Sequence, residues 1–236
     1  RDYYASRGLG DVYKRQSESP DFEKYRNKYN TIFLNMQEFL SRSDSVEALV
    51  DRVKKLVLRD LKREYPDVDY FDDTDLVESM QDIYETEKCP FVVIIDEWDC
   101  IFHKDFITDE DKKKYISFLS SLLKDKAYVL LSYMTGILPI AKYSSGSELN
   151  MFAEYTMVSE EKFSDAFGFT EAEVDMLYAR FLKNTGKPLL SRSGLKEWYD
   201  GYHAKGGECI YNPRSVVMAL TNNNCLLYTS PSPRDA

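Results

Sequence analysis

Histidine is almost absent from this chain. His103 and His203 are the only two in 236 residues, too few for a multi-histidine metal site. Cysteine is nearly as scarce, and Cys89, Cys100, Cys209 and Cys225 include no Cys-x-x-Cys pair. That excludes a zinc pattern and a disulfide framework, and points to a reduced, cytoplasmic setting. No apolar run approaches the roughly 20 residues that cross a bilayer, so no membrane association is expected. Positive charge is in deficit, with 31 Lys+Arg against 40 Asp+Glu for a formal net charge of −9. Such a balance argues against charge-driven nucleic-acid binding by this piece. Repeats and low-complexity linkers are also lacking. The one Gly-Lys pair, Gly186-Lys187, follows a helical pattern and runs into Pro188. A phosphate cradle needs a strand-loop-helix setting and an N–H that proline lacks, so this pair is a decoy.

The two ends are related to each other in an unexpected way. Back-translated with suitable codons, the peptide from Cys225 to Asp235 gives DNA whose reverse complement, in a shifted frame, encodes Ser6 to Arg15. One further codon gives Gln16. The DNA has the look of a sequencing-library adapter, so residues 1–16 and 225–236 are expected to be non-native and no part of the fold. Residues 17–224 suffice for one ordinary domain plus a small appendage.

What is present reads as alternating strands and helices. Asn30–Met36 (N-T-I-F-L-N-M) is an expected buried strand. The helix after it carries Val46, Leu49, Val50, Val53, Leu56, Val57 and Leu61 on one face. Asp44 is its expected N-cap, paired with Glu47, and Tyr65-Pro66 stops it. A second helix is expected over Asp75–Glu87, with Leu76, Met80, Ile83 and Tyr84 inward. The run Phe91–Ile95 has continuous apolarity, the form of a strand buried on both faces of a parallel sheet. Helix Asp111–Lys124 and strand Ala127–Met134 complete a βαβ unit, which implies parallel pairing. After about Ala153 the pattern turns to helices, with a capping box at Thr170 and Glu173 and an inner face of Val174, Leu177, Tyr178, Phe181 and Leu182. Shorter helices are expected over Leu195–Tyr202 and Pro213–Leu220. The expected organisation is an α/β parallel-sheet core over residues 17–153 and a small helical subdomain over 154–224.

Ligands of open parallel sheets bind beyond the carboxyl ends of the strands. Two such ends carry polar residues here: Asp96-Glu97-Trp98-Asp99 and Thr135-Gly136. An apolar strand ending in Asp-Glu has the form of a Walker B strand, in which the first acid serves magnesium and the second orients the attacking water. Thr135, on the neighbouring strand, is placed to sense a γ-phosphate or help position that water. The same Asp-Glu string also fits a solvated loop after a core strand. Asp99 can add a third carboxylate or act as a loop cap. Arg214 can reach a nucleotide or be an ordinary surface arginine. Trp198–Tyr202 (W-Y-D-G-Y) fits packing within the helical part better than base stacking, since no basic stripe accompanies it.

Several ordered segments resemble the bacterial AAA-ATPase-like proteins. They are residues 29–36 (Y-N-T-I-F-L-N-M), 91–99 (F-V-V-I-I-D-E-W-D), 133–140 (Y-M-T-G-I-L-P-I), 148–155 (E-L-N-M-F-A-E-Y), 167–174 (F-G-F-T-E-A-E-V), 198–202 and 210–216 (I-Y-N-P-R-S-V). The resemblance implies a P-loop NTPase core with a helical lid, ATP and Mg²⁺ as ligands, Asp96 and Glu97 as the Walker B acids, and Thr135 at a sensor-like position. Members of that family are often joined to a C-terminal nuclease-like domain. The family's Gly-Lys-Ser/Thr phosphate loop is expected upstream of residue 17. This chain is therefore expected to be a fragment inactive by itself. Two other functions are expected alternatives: a degenerate nucleotide-fold scaffold, and the regulatory part of a nuclease.

Overall fold

The computed structural model describes residues 17–104, 107–140, 148–155, 168–199, 202–203 and 209–224, the pair 202–203 by backbone alone. The two terminal segments, and residues 167, 200 and 201 of the segments quoted above, lie outside them. By internal contacts the chain divides into two units, Arg1–Phe152 and Ala153–Ala236.

The first unit opens with a short helical turn, α1 (Phe22–Tyr25), and strand β1 (Asn30–Asn35). Helices α2 (Met36–Leu40), α3 (Val46–Glu64) and α4 (Leu76–Glu87) follow, then β2 (Phe91–Asp96). A 3₁₀ turn at Cys100–His103, helix α5 (Asp109–Leu123) and strand β3 (Val129–Met134) complete it. The strands form one parallel sheet in the order β1-β2-β3, with Asn35 opposite Asp96 and Ile95 opposite Met134. The parallel sheet expected from the βαβ pattern is thus present. It starts two residues later in β3 than the apolar run suggests.

The packing departs from expectation in one important respect. Among the described residues, helices cover one face of the sheet only, where Leu34, Phe91, Val93 and Ile95 join Leu49, Val53, Val57, Met80, Ile83, Tyr115 and Leu119 in a common core. Strand β2 alternates between buried and half-buried positions instead of being buried on both faces. Its neighbours are wetter still: Phe33 is 61% exposed, Leu131 54% and Tyr133 48%. The register puts Phe33, Ile94 and Tyr133 in one row across the uncovered face. Continuous apolarity therefore does not distinguish a strand with two covered faces from one whose second face is apolar and open.

Local capping explains the helix limits. Asp44 is not the N-cap of α3. Ser45 takes that place, its hydroxyl accepting from the Ala48 N–H at 3.1 Å. With Ser45 as cap, Glu47 falls one position short of closing a capping box. Helix α5 begins at Asp109, earlier than expected, because Thr108 and Asp111 form a reciprocal capping box with aspartate in place of the usual Glu or Gln. Asp75 caps α4, and Lys88 ends it in a left-handed conformation.

The second unit is not purely helical. It contains β4 (Phe169–Thr170), α6 (Glu171–Asn184), α7 (Arg192–Tyr199), β5 (Tyr202–His203), β6 (Cys209–Tyr211) and α8 (Pro213–Asn222). The strands pair antiparallel in the order β4-β6-β5. Two- and three-residue strands are too short to show alternation, which is why they escape a periodicity reading. Tyr202 belongs to β5 and does not extend α7. The Thr170 and Glu173 capping box forms as expected. Val174 and Phe181 are buried with Leu195, Tyr211 and Val216, whereas Leu182, expected inward, is exposed.

Candidate functional site

The site is built at the carboxyl ends of β2 and β3. In a parallel pair each strand end carries its last side chain toward the same crest, so Asp96 and Thr135 meet on the uncovered face. The Thr135 hydroxyl donates to Asp96 Oδ1 in a very short hydrogen bond. Asp96 Oδ2 takes no hydrogen bond from a described residue. The backbone holds this pairing in place: Thr135 N donates to the Ile95 carbonyl at 2.9 Å, and Trp98 N donates to the Thr135 carbonyl at 3.0 Å. Asp96 is half-buried and Glu97 exposed.

Glu97 has a left-handed backbone, φ +54°, unlike the strand residues before it. That turn ends the strand abruptly and sends Trp98, Asp99 and Cys100 back into the core. The left-handed region costs an L-residue about 1 kcal/mol, which the surrounding ladder and core must hold. Behind the site, the Tyr115 hydroxyl of α5 donates to the Trp98 carbonyl at 2.7 Å. Trp98 packs edge-on to Phe102, ring centroids 5.4 Å apart. The Cys100 thiol, buried and next to the Asp99 and Glu97 charges, is pushed up to about 12, so it stays a thiol and is no nucleophile at neutral pH.

Of the five sequence-derived site residues, the structure brings Asp96, Glu97 and Thr135 together at one crest. Asp99 is close in sequence but turns inward: fully buried, it accepts from the Ile137 and Leu138 N–H groups at 2.9 and 2.7 Å, with His103 Nε2 at 3.4 Å. It is thus a loop cap in this conformation and presents no oxygen to the crest. Arg214 lies in the second unit, exposed on the first turn of α8. Trp198, on α7, is half exposed. Asn35 went unnoticed in the sequence. It stands opposite Asp96 in the register, with its side chain capping α2 at the Glu38 N–H, 3.1 Å away. Its signal was the Asn-x-x-Glu spacing directly after a strand.

Whether these residues suit magnesium can be judged from the oxygens. Mg²⁺ is usually held by one or two carboxylates together with waters and substrate phosphates. Asp96, with one oxygen oriented by Thr135 and the other without a partner among the described residues, fits that role. No convergent group of three or more His, Cys, Asp or Glu side chains occurs among the described residues. No segment of residues 17–224 offers a Gly-Lys-Ser/Thr cradle, so the phosphates of a nucleotide do not find their anchor in these residues alone. No helix among the described residues is long and apolar enough to cross a membrane. No protein-family model matches the chain, and a search of curated proteins returns no match.

Proposed function

We propose that Asp96, Glu97 and Thr135 form the magnesium- and water-serving half of a P-loop ATPase site, in a cytoplasmic protein whose phosphate loop lies outside residues 17–224. The observation that carries this reading is the Thr135-to-Asp96 hydrogen bond at the ends of two adjacent parallel strands, with an exposed carboxylate next in sequence. Asp96 supplies an oriented carboxylate oxygen for the cation. Glu97, turned out of the strand, is free to accept a proton or a hydrogen bond from water. Thr135 orients Asp96 and lies where a polar hydroxyl can report on a terminal phosphate. In this proposal the second unit is a lid with Arg214 as a nucleotide-binding residue, and a nuclease-like domain is a further module of the parent.

The test uses the uninterrupted protein that contains residues 17–224. Mg²⁺-dependent ATP hydrolysis is expected, and Glu97→Gln should lower it by about 10²-fold or more while ATP binding persists. Unchanged hydrolysis in the Gln variant sinks the role given to Glu97. The chain as it stands here should neither bind ATP tightly nor turn it over, and Glu97-dependent turnover by it would overturn the need for an external loop. The same absence of a cradle favours one second reading, a nucleotide-fold scaffold without turnover. A degraded phosphate loop in the parent would select it.

A further inference from the structure

We propose that Asp99 is a positioning residue of this site: it latches the loop after β3 to the loop after β2, and so holds the Thr135 hydroxyl on Asp96. The inference rests on the reading that these crest residues act together, although its geometry stands by itself.

A carboxylate removed from water must be compensated by hydrogen bonds, or it will shift toward its neutral form or remain in water. Asp99 is fully buried, and its compensation comes from a different element of the fold. Oδ2 accepts from two consecutive backbone N–H groups, those of Ile137 and Leu138, which converge as a small anion-holding turn. His103 Nε2 approaches the same oxygen from the 3₁₀ turn, and its ring is half exposed. Oδ1 has no hydrogen-bond partner among the described residues and faces Gly136. A Cβ at Gly136 would lie 2.6 Å from Oδ1 and 2.5 Å from the Trp98 ring, so only glycine lets the loop come this close.

These contacts bracket Thr135 from both sides. Its own N–H and carbonyl are spoken for by Ile95 and Trp98, Gly136 is packed against Trp98, and the next two N–H groups are bound by Asp99. Tyr115 fixes Trp98 from beneath. Residues 135–138 are thereby fastened to residues 95–99, with Asp99 as the side chain that binds the backbone N–H groups of the β3 loop. A residue that merely stabilised the fold would not need to act on the segment immediately following Thr135.

The test is made by NMR on the chain itself, without nucleotide. Two quantities are read in wild type, Asp99→Ala and Asp99→Asn: exchange of the Ile137 and Leu138 amides, and the Thr135 side-chain rotamer from its Hα–Hβ coupling and methyl shift. In Asp99→Ala both amides should exchange at least tenfold faster and Thr135 should average between rotamers, with the β2 ladder amides unchanged. Asp99→Asn, which keeps a carbonyl oxygen, should restore most of both. If Thr135 keeps a single rotamer while the amides open, Asp99 is only a cap and the proposal fails. It fails equally if the amides stay protected. Should the alanine variant not fold, the asparagine variant decides alone. Its weaker acceptor should raise amide exchange and Thr135 averaging together, and either one rising without the other overturns the latch. Since no ATP is involved, loss of the latch and absence of hydrolysis in the parent are separable outcomes.

Discussion

Single residues in this chain are constrained by what surrounds them more than by their type. Gly136 is fixed by the Trp98 ring and the Asp99 carboxylate, and Glu97 by a backbone turn that nothing in its side chain prefers. Ser132 is a case where the constraint is unfavourable. Its Oγ is buried with no hydrogen-bond partner among the described residues. A buried hydroxyl without a partner costs about 1–3 kcal/mol, and removing it leaves only a small void. Ser132→Ala is therefore expected to raise stability by about 1 kcal/mol, read as a higher urea midpoint at unchanged slope. A lower midpoint would mean that the hydroxyl has found a water or a partner.

At the scale of elements, the strands and long helices were legible because their apolar spacing is long and regular. The inner face of α5 (Tyr115, Phe118, Leu119, Leu122 and Leu123) is buried as its spacing indicates. Helix limits were harder, since neighbouring residues compete for one cap. Both Asp44 and Ser45 precede α3 and both can cap, and backbone geometry awards the place to Ser45, φ −151° and ψ 165°. Ser45→Ala should cost about 1 kcal/mol, whereas Asp44→Ala should stay within about 0.5 kcal/mol of wild type. Thermal unfolding of the two variants side by side tests this, and the reverse ranking would restore Asp44. The placement of Asp96, Glu97 and Thr135 at one crest was legible, since it follows from strand ends alone. The inward turn of Asp99 was not, because it depends on N–H groups 38 and 39 residues away. The small antiparallel sheet of the second unit was not legible either, since its strands are shorter than any period they could display.

For the first unit taken whole, the governing fact is a sheet covered on one side. The row Phe33, Ile94 and Tyr133, with Leu130 and Leu131 beside it, presents apolar side chains to solvent. Apolar faces of this kind promote association between molecules. The purified chain is expected to self-associate at micromolar concentrations, and Leu131→Lys to reduce that association without lowering the unfolding temperature. Sedimentation measurements read the first and calorimetry the second. A monomeric wild type would show that the open face is protected in solution.

The one-sided sheet also bears on heat. Heat-capacity change on unfolding follows the apolar surface newly wetted, about 12–15 cal/mol/K per residue in ordinary domains. Here part of the apolar surface is wet already in the folded state, so unfolding wets less of it. The stability curve of this unit should accordingly be flatter than that of a domain of equal length, with a broad optimum and a shallow response to both warming and cooling.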